Sequence, residues 1–179
     1  IHSTTQESEP IMILGGTLER ALLKNIPAPN IIASIDKIQI GVPAFHFFGG
    51  VDRSIPIIEL ESGSHENPLS FAVAIQSTLA FLANTGAIPH LIGAAHEPKQ
   101  YNYYEIIDSV VLPNESYVLV RPFKMWEFIS ANTLLARGDQ ADIFSATEGH
   151  VIMPPKGIRP SNYQEEVFFL SRRVENITL

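Results

Sequence analysis

Two glutamates separated by one residue, Glu59 and Glu61, are the first candidates for chemistry. The residues around them, 55–60, are mostly apolar, which predicts a strand buried on both faces, and a Gly/Ser turn follows. Removal from water raises the pKa of a carboxyl group unless a cation lies nearby, so an acid here is either paired or poised to exchange a proton. The spacing alone is compatible with an ion-paired strand end and with a catalytic carboxylate.

The six histidines are the other candidates, because histidine is a common zinc ligand. His46 lies between two phenylalanines in a predicted strand, which is typical of a core residue. In His65-Glu66 and His96-Glu97 the neighbours point in opposite directions if the chain is extended, so neither pair is expected to bind one metal ion. The sequence has no His-x-x-Glu, His-x-His or His-Glu-x-x-His motif, and we therefore predict no complete metal site from these residues alone.

The elements that position Glu59 are predicted to form an α/β unit. Strand patterns cover residues 11–14, 31–40 and 44–48, and a short helix over 18–25 ends before Pro27. The clearest helix begins at Asn67-Pro68, a capping residue followed by proline, and ends at Gly86. Its apolar side is predicted to consist of Leu69, Ala72, Val73, Ile75, Leu79, Leu82 and Ala83.

The second half of the chain has a different pattern. Short strands are predicted over 103–112, 117–120, 142–144 and 150–153, separated by turn sequences, and no second strong helix occurs. We therefore predict two domains, an α/β domain over residues 1–92 and a small β-rich domain over 93–179.

Composition excludes several classes of partner and of site. The 179 residues carry a net charge of −7 and have no basic cluster beyond Arg172-Arg173, which argues against a nucleic-acid or membrane-binding surface. Without cysteine there are no disulfides or thiolate ligands, and a cytoplasmic location is favoured. The chain begins with Ile1-His2 and has neither an initiator Met nor a signal peptide, which predicts a missing upstream part.

Several segments, in order, resemble the aspartoacylase and succinylglutamate desuccinylase family. Residues 1–5 (Ile-His-Ser-Thr-Thr) resemble the family's second metal-ligand segment, and Arg53-Ser54 with residues 55–60 resembles its Arg-Ser turn and the strand that carries its glutamate. The long helix follows as expected. Residues 103–107, Gly138-Asp139 and residues 162–169 then resemble successive pieces of the C-terminal β domain. The resemblance covers nearly the whole chain.

This resemblance implies the second half of a zinc-carboxypeptidase-like mixed sheet, followed by the β-rich domain. It also implies one zinc ion in the intact protein, with His2 as a ligand and with the other two ligands in an upstream His-x-x-Glu motif. Glu59 would be the general base that helps metal-bound water attack an amide. Arg53 and Tyr163 would bind the substrate, although the Arg-Pro-Ser-Asn-Tyr context of Tyr163 is also typical of a surface turn.

One departure leaves the base open between two residues. In the family, a glycine follows the catalytic glutamate by two places. If Glu59 is the base, this chain has Glu61 at that position. Alternate residues of a strand share a face, so both carboxylates could point into the site, and Glu59 is the preferred assignment.

The predicted function is a zinc-dependent deacylase that cleaves an N-acyl amino acid or a similar amide. Its partners would be this small substrate and the missing N-terminal half of the same protein, and a homo-oligomer is compatible with the sequence. The alternatives are a non-enzymatic binding module on a degenerate hydrolase scaffold and a carboxypeptidase-like peptidase. An upstream His-x-x-Glu would favour the enzyme.

Overall fold

The structure, a computed structural model, describes residues 1–4, 8–15, 20–35, 57–89, 100–160 and 163–177. They form two compact units, one of Ile1–Tyr104 with Val174–Leu179 and one of Glu105–Arg173. No helix in the described ranges is long and apolar enough to cross a membrane.

The described residues of the first unit form four strands, two helices, the beginning of a fifth strand and the end of the last one. The elements are β1 (His2–Thr4), β2 (Ile11–Gly15), α1 (Arg20–Leu23), β3 (Asn30–Ala33), β4 (Ile57–Ser64), α2 (Leu69–Asn84) and β5 (Tyr101–Val111). The hydrogen-bonded order is β1-β4-β2-β3, followed by β5. Strand β4 is parallel to β1 and antiparallel to β2, and β2 is parallel to β3, so the sheet is mixed.

The second unit is built from strands. After β5 come β6 (Val118–Leu119), β7 (Phe128–Ile129), β8 (Leu134–Arg137), β9 (Ile143–Phe144), β10 (Gly149–Ile152) and β11 (Glu166–Ile177). Its strands β5, β11, β10 and β7 are hydrogen-bonded in that order, and β6-β8-β9 form a separate small antiparallel sheet. The predicted combination of a mixed α/β sheet and a β-rich second part is thus confirmed.

Each unit has its own apolar core. In the first unit Leu60 of β4 packs with Met12 and Leu14 of β2 and with Ala80 of α2. In the second unit Leu112, Leu119 and Phe168 are among the buried residues, and the rings of Phe123 and Phe168 lie 5.2 Å apart between centroids. Burial of this apolar surface is the main stabilising term in each unit.

Strand β4 differs from the prediction at its end. The apolar run was expected to stop near Leu60 and to be buried on both faces, but the strand continues to Ser64, and Ile57 and Ile58 are only half-buried. The continuation has a non-local cause, because Ser64 is the register partner of Thr4 on β1. Glu59 therefore lies inside the strand and not at its carboxyl end.

The ends of helix α2 follow the predicted signals. The Oδ1 atom of Asn67 accepts a hydrogen bond from the N–H of Leu69 at 3.0 Å, as a capping residue does. At the other end Gly86 has φ +75°, and the N–H groups of Gly86 and Ala87 bond to the carbonyls of Ala83 and Leu82. This is the Schellman arrangement, in which a left-handed glycine closes the helix.

The buried side of α2 differs from the prediction. The helix turns Ser70, Ser77, Ala80 and Ala83 towards the protein, and only Ala83 belongs to the predicted apolar side. The larger residues Leu69 and Ile75 are exposed instead. Small side chains let the helix approach closely, which hydrophobic periodicity alone does not reveal.

Other predicted elements are shorter, missed or outside the described residues. The helix over 18–25 is described only as Arg20–Leu23, and the strand over 31–40 ends at Ala33, with residues 36–40 outside the described ranges. The strand over 44–48 also lies outside them. Strands β7, β8 and β11 were not predicted, because β7 and β8 are short and the sequence of β11 turns polar after Leu170.

Candidate active site

The two glutamates lie on β4, which is paired with β1 on one side and with β2 on the other. Across β2 the register partner of Glu59 is Ile13 and that of Glu61 is Ile11. Because β4 alternates its side chains, Glu59 and Glu61 share one face while Leu60 lies on the face that packs against α2. Both glutamates are half-buried.

Strand β1 brings His2 into register with Glu61. The Cα partner of His2 across the parallel β1–β4 ladder is Glu61, and Glu59 lies two residues earlier on β4. At about 3.3 Å per residue, this places Glu59 about 7 Å before Glu61 along the strand. The structure thus brings together three of the residues that the sequence singled out, with Glu61 at the same level as His2.

Gly63 fixes the backbone at the end of β4. Its φ is +110°, a conformation that L-residues with a side chain rarely adopt. A Cβ there would lie 2.8 Å from the Oγ of Ser70, whose hydroxyl donates a 2.8 Å hydrogen bond to the carbonyl of Ser64. Gly63 follows Glu61 by two places, which is the spacing that the family resemblance expects between the base and its glycine.

A buried asparagine, Asn30 of β3, continues the line of register partners that runs across the sheet through Glu61 and Ile11. Asn30 is 2% exposed and is the register partner of Ile11, which in turn pairs with Glu61. Its Nδ2 donates to the Oε2 of Glu9 at 3.1 Å, and its Oδ1 accepts from the Nδ2 of Asn102 at 3.1 Å. These residues were not predicted, because the three side chains come from distant parts of the sequence.

Two cavities meet at the carboxyl end of β4. One of about 750 Å³ is lined by Ser8, Glu9, Pro10, Ser64, Glu66, Asn67 and Pro68. The other, of about 520 Å³, is lined by Ile1, Ser62, Ser64, His65, Asn67, Pro68, Ser70, Phe71 and Ala74. Both have volumes that suit a small molecule. Glu59 and Glu61 are not among the described residues that line them.

The described residues do not form a complete metal site. A catalytic zinc site needs three protein ligands. Within the described ranges no group of three or more His, Asp or Glu side chains is arranged to hold an ion. Among the described residues, His2 of β1 is the histidine in register with Glu61 of β4.

Of the two predicted substrate-binding residues, the structure describes only Tyr163. Arg53 is outside the described residues. Tyr163 belongs to the second unit, where its half-buried ring packs against the core that includes Leu112 and Phe168. Next to it the N–H of Gln164 donates to the carbonyl of Leu112 at 2.9 Å. Tyr163 is thus held by its own unit.

An ion pair in the second unit is structural. The guanidinium of Arg121 contacts the carboxylate of Glu127 and lies 4.4 Å from the centroid of the Phe123 ring. The hydrogen bond from Arg121 lowers the pKa of Glu127, and burial opposes this shift in part. The same hydrogen bond raises the pKa of Arg121. Both side chains are committed to this contact, which therefore suggests no catalytic role.

Comparison with known structures identifies similar folds. A succinylglutamate desuccinylase from Vibrio parahaemolyticus is similar over 97% of this chain with a TM-score of 0.64 and 10% identity, and 52% of its own chain is covered. A succinylglutamate desuccinylase/aspartoacylase from Rhodobacter sphaeroides gives a TM-score of 0.58, with 14% identity over 94% of this chain and 54% of its own. A product-bound ectoine utilization protein from Ruegeria pomeroyi gives 0.52, with 17% identity over 91% and 53%.

The structural neighbours include succinylglutamate desuccinylases and succinylglutamate desuccinylase/aspartoacylase family proteins, and the similarity to them extends over most of this chain. The chain spans about half the length of the structures that it matches. No protein-family model matches the chain, and no curated protein matches it. At identities of this size the likeness shows the fold alone.

Proposed function

We propose that the chain is part of a zinc-dependent hydrolase that cleaves the amide of an N-acyl amino acid or a similar small linear amide. The observation that carries the proposal is the register of His2 with Glu61 on neighbouring parallel strands. A histidine and a carboxylate at one level of a sheet are the residue types that a metal-assisted amide hydrolase needs. The fold of the neighbours, which include desuccinylases, supports the same reaction class.

The proposed general base is a glutamate of β4. Glu61 is favoured by its register with His2 and by the left-handed Gly63 two places later. Glu59, which the sequence favoured, is the alternative on the same face of the strand. The carboxylate would take a proton from the attacking water and deliver it to the nitrogen of the leaving amine, so that the amide C–N bond breaks.

The proposed zinc ion would be held by His2 and by ligands outside the described residues. When bound, it would lower the pKa of water and polarise the carbonyl of the amide. Arg53 is proposed to contact a carboxylate or carbonyl oxygen of the substrate, and Tyr163 to bind it through its phenol. The absence of cysteine supports a cytoplasmic location for such an enzyme.

The proposal is tested with the full natural protein that contains these residues. The protein is incubated with a panel of N-acetyl, N-succinyl and longer N-acyl amino acids, and released amine is measured before and after treatment with a zinc chelator. We expect hydrolysis of at least one member, loss of activity with chelator, and recovery when zinc is restored. A protein that binds these amides without cleaving them would support the binding module instead.

A further inference from the structure

The cavity of about 750 Å³ at the carboxyl end of β4 has two carboxylates in its wall. They belong to Glu9 and Glu66, and the other described residues that line the cavity are serine, proline and asparagine. Neither carboxylate has an ion-pair partner in the part of the chain that the structure describes. Two uncompensated negative charges on a concave surface attract a cation.

The carboxylate of Glu9 is held in place by a buried amide. Asn30, 2% exposed, donates from its Nδ2 to the Oε2 of Glu9 at 3.1 Å. The Nδ2 of Asn102 donates in turn to the Oδ1 of Asn30 at 3.1 Å, which fixes the direction in which the Asn30 amide points. A buried amide is costly unless it is hydrogen-bonded, so this relay also keeps Glu9 in one position. A carboxylate that is oriented before binding suits a ligand anchor.

Ser64 supplies an independent observation in the same wall. It is 7% exposed and lines the cavity. Its Oγ accepts a hydrogen bond from the N–H of Glu66 at 3.3 Å, whereas its hydroxyl hydrogen has no acceptor among the described residues. A buried hydroxyl donor in a cavity wall suits an oxygen atom of a ligand. The wall therefore matches a small molecule that carries both a positive charge and an acceptor oxygen.

The cavity lies beside the glutamates of β4 without including them. A Cβ at Gly63 would lie 3.5 Å from the carbonyl oxygen of Ser8, so the segment that carries Glu9 runs next to the end of β4. Gly63 follows Glu61 by two residues, or about 7 Å along the strand. This separation is comparable with the length of an ornithine or lysine side chain. The cavity is thus placed to bind a part of the substrate remote from the bond that is cleaved.

We propose that this cavity binds a positively charged side chain of the substrate, so that the preferred substrate is an N-acylated basic amino acid whose ammonium group contacts Glu9 and Glu66. The inference rests on the proposed function and adds the class of amino acid to it. Ser64 would donate to an oxygen of the same molecule. The net charge of −7 also favours a cationic over a dicarboxylic substrate.

The test uses the full natural protein and three substrates with the same acyl group. Nα-acetyl-L-ornithine is compared with Nα-acetyl-L-norleucine, which has a methyl group in place of the ammonium, and with Nα-acetyl-L-glutamate. Acetate release gives kcat and KM for the wild type and for Glu9→Gln, which keeps an acceptor oxygen for Asn30 but removes the charge. Glu115→Gln is the matched control, because it removes the same charge from an exposed position in the second unit.

Binding is measured separately from turnover. The Nα-methylsulfonyl derivatives of ornithine and norleucine resemble the acetyl compounds, but an amide hydrolase does not cleave a sulfonamide. Titration calorimetry of the two derivatives with the wild type and with Glu9→Gln therefore reports on the cavity whether or not the protein is a hydrolase.

We expect kcat/KM to be at least roughly tenfold higher for the ornithine than for the norleucine substrate, as a charge-assisted contact allows. Glu9→Gln should remove most of this preference through KM, since Glu9 lies away from the cleaved bond, and Glu115→Gln should keep it. The ornithine sulfonamide should likewise bind more tightly than the norleucine one, and only with Glu9 present.

The inference is overturned if the norleucine or glutamate substrate is preferred, or if the preference for ornithine is unchanged in Glu9→Gln. If none of the three substrates is cleaved, the sulfonamides decide. Tighter binding of the ornithine derivative that depends on Glu9 supports the cationic site, and equal binding of the two derivatives overturns it. The hydrolase proposal fails by a different result, which is the absence of cleavage across the wider panel of N-acyl amino acids.

Discussion

The Cα atoms of His2 and Glu61 are partners across the parallel ladder of β1 and β4. No other glutamate of β4 is at the level of this histidine, since Glu59 precedes Glu61 by two residues. The pairing therefore ranks the two carboxylates by geometry, which their spacing in the sequence does not do.

We expect Glu61→Gln in the full natural protein to reduce turnover by at least about a hundredfold, because the amide keeps the size and polarity of the side chain but cannot accept a proton. The measurement is amide hydrolysis under single-turnover conditions. Zinc content, determined in parallel, should not change.

Glu59→Gln is the matched variant for the same assay. It should cost much less activity, because Glu59 lies about 7 Å from the level of His2, before Glu61 along the strand. The reverse order of effects would assign the base to Glu59, as the sequence resemblance implies. If neither variant lowers turnover while zinc is retained, the hydrolase proposal is wrong.

Gly63→Ala should destabilise the protein by roughly 1–3 kcal/mol, because the new Cβ meets the Oγ of Ser70 at 2.8 Å and the residue is forced to a positive φ. Urea unfolding measures the difference. Gly86→Ala provides the control, since Gly86 has φ +75° but nothing within 4 Å of its Cβ position. An equal cost at the two positions would show that the clash with Ser70 contributes nothing.

Two serines of α2 should respond to alanine in opposite directions. Ser77 is 4% exposed, and its hydroxyl has no hydrogen-bond partner in the part of the chain that the structure describes. Ser77→Ala removes this desolvated group and raises helix propensity, so stability should increase by up to about 1 kcal/mol. Thermal unfolding of the purified protein is the readout.

Ser70→Ala removes the 2.8 Å hydrogen bond to the carbonyl of Ser64 and should lower stability by about 1–2 kcal/mol. The same thermal assay applies. If Ser77→Ala and Ser70→Ala both raised stability, the hydrogen bond from Ser70 would stabilise the protein by less than the burial of its hydroxyl destabilises it.

The ion pair of Arg121 and Glu127 should make a small, pH-dependent contribution. Since the pKa of Glu127 is lowered in the folded state, the stabilisation is present above the unfolded pKa of the carboxyl group and is lost as pH falls through the folded pKa. Arg121 is 47% exposed, so the effect should not exceed about 1 kcal/mol. The experiment compares urea unfolding of the wild type and Glu127→Gln at neutral and acidic pH. The difference should shrink in acid, and a difference that grows there would contradict the assignment.

The sequence predicted local features better than long-range ones. Asn67 and Gly86 were correctly identified as the signals just outside the two ends of α2, because capping and left-handed glycine depend on neighbouring residues. The buried side of α2 was predicted wrongly, because the protein packs Ser77 and Ala80 inwards and leaves Phe71 outside. Which side of α2 is buried depends on the elements that pack against each side, and the sequence of the helix alone does not specify them.

The candidate site shows the same difference between local features, which the sequence predicted, and long-range features, which it did not. Both glutamates were identified from the sequence, but the length of β4 and the level of His2 depend on pairing between strands far apart in the chain. The buried Asn30 was missed for a similar reason. Its partners Glu9 and Asn102 come from other parts of the sequence, and no local pattern joins them.

The lack of charge in α2 has a consequence for how the first unit unfolds. The helix has no oppositely charged pairs one turn apart, no acidic residue in its first turn and no basic residue in its last. Apart from its two caps, it is stabilised by the sheet beneath it and by the end of α1, where Asn84 donates to the carbonyls of Leu22 and Lys24. As a separate peptide of sixteen residues it would be only marginally helical. The central amide hydrogens of α2 should therefore exchange with solvent only when the sheet opens, so that helix and sheet behave as one cooperative unit in hydrogen exchange.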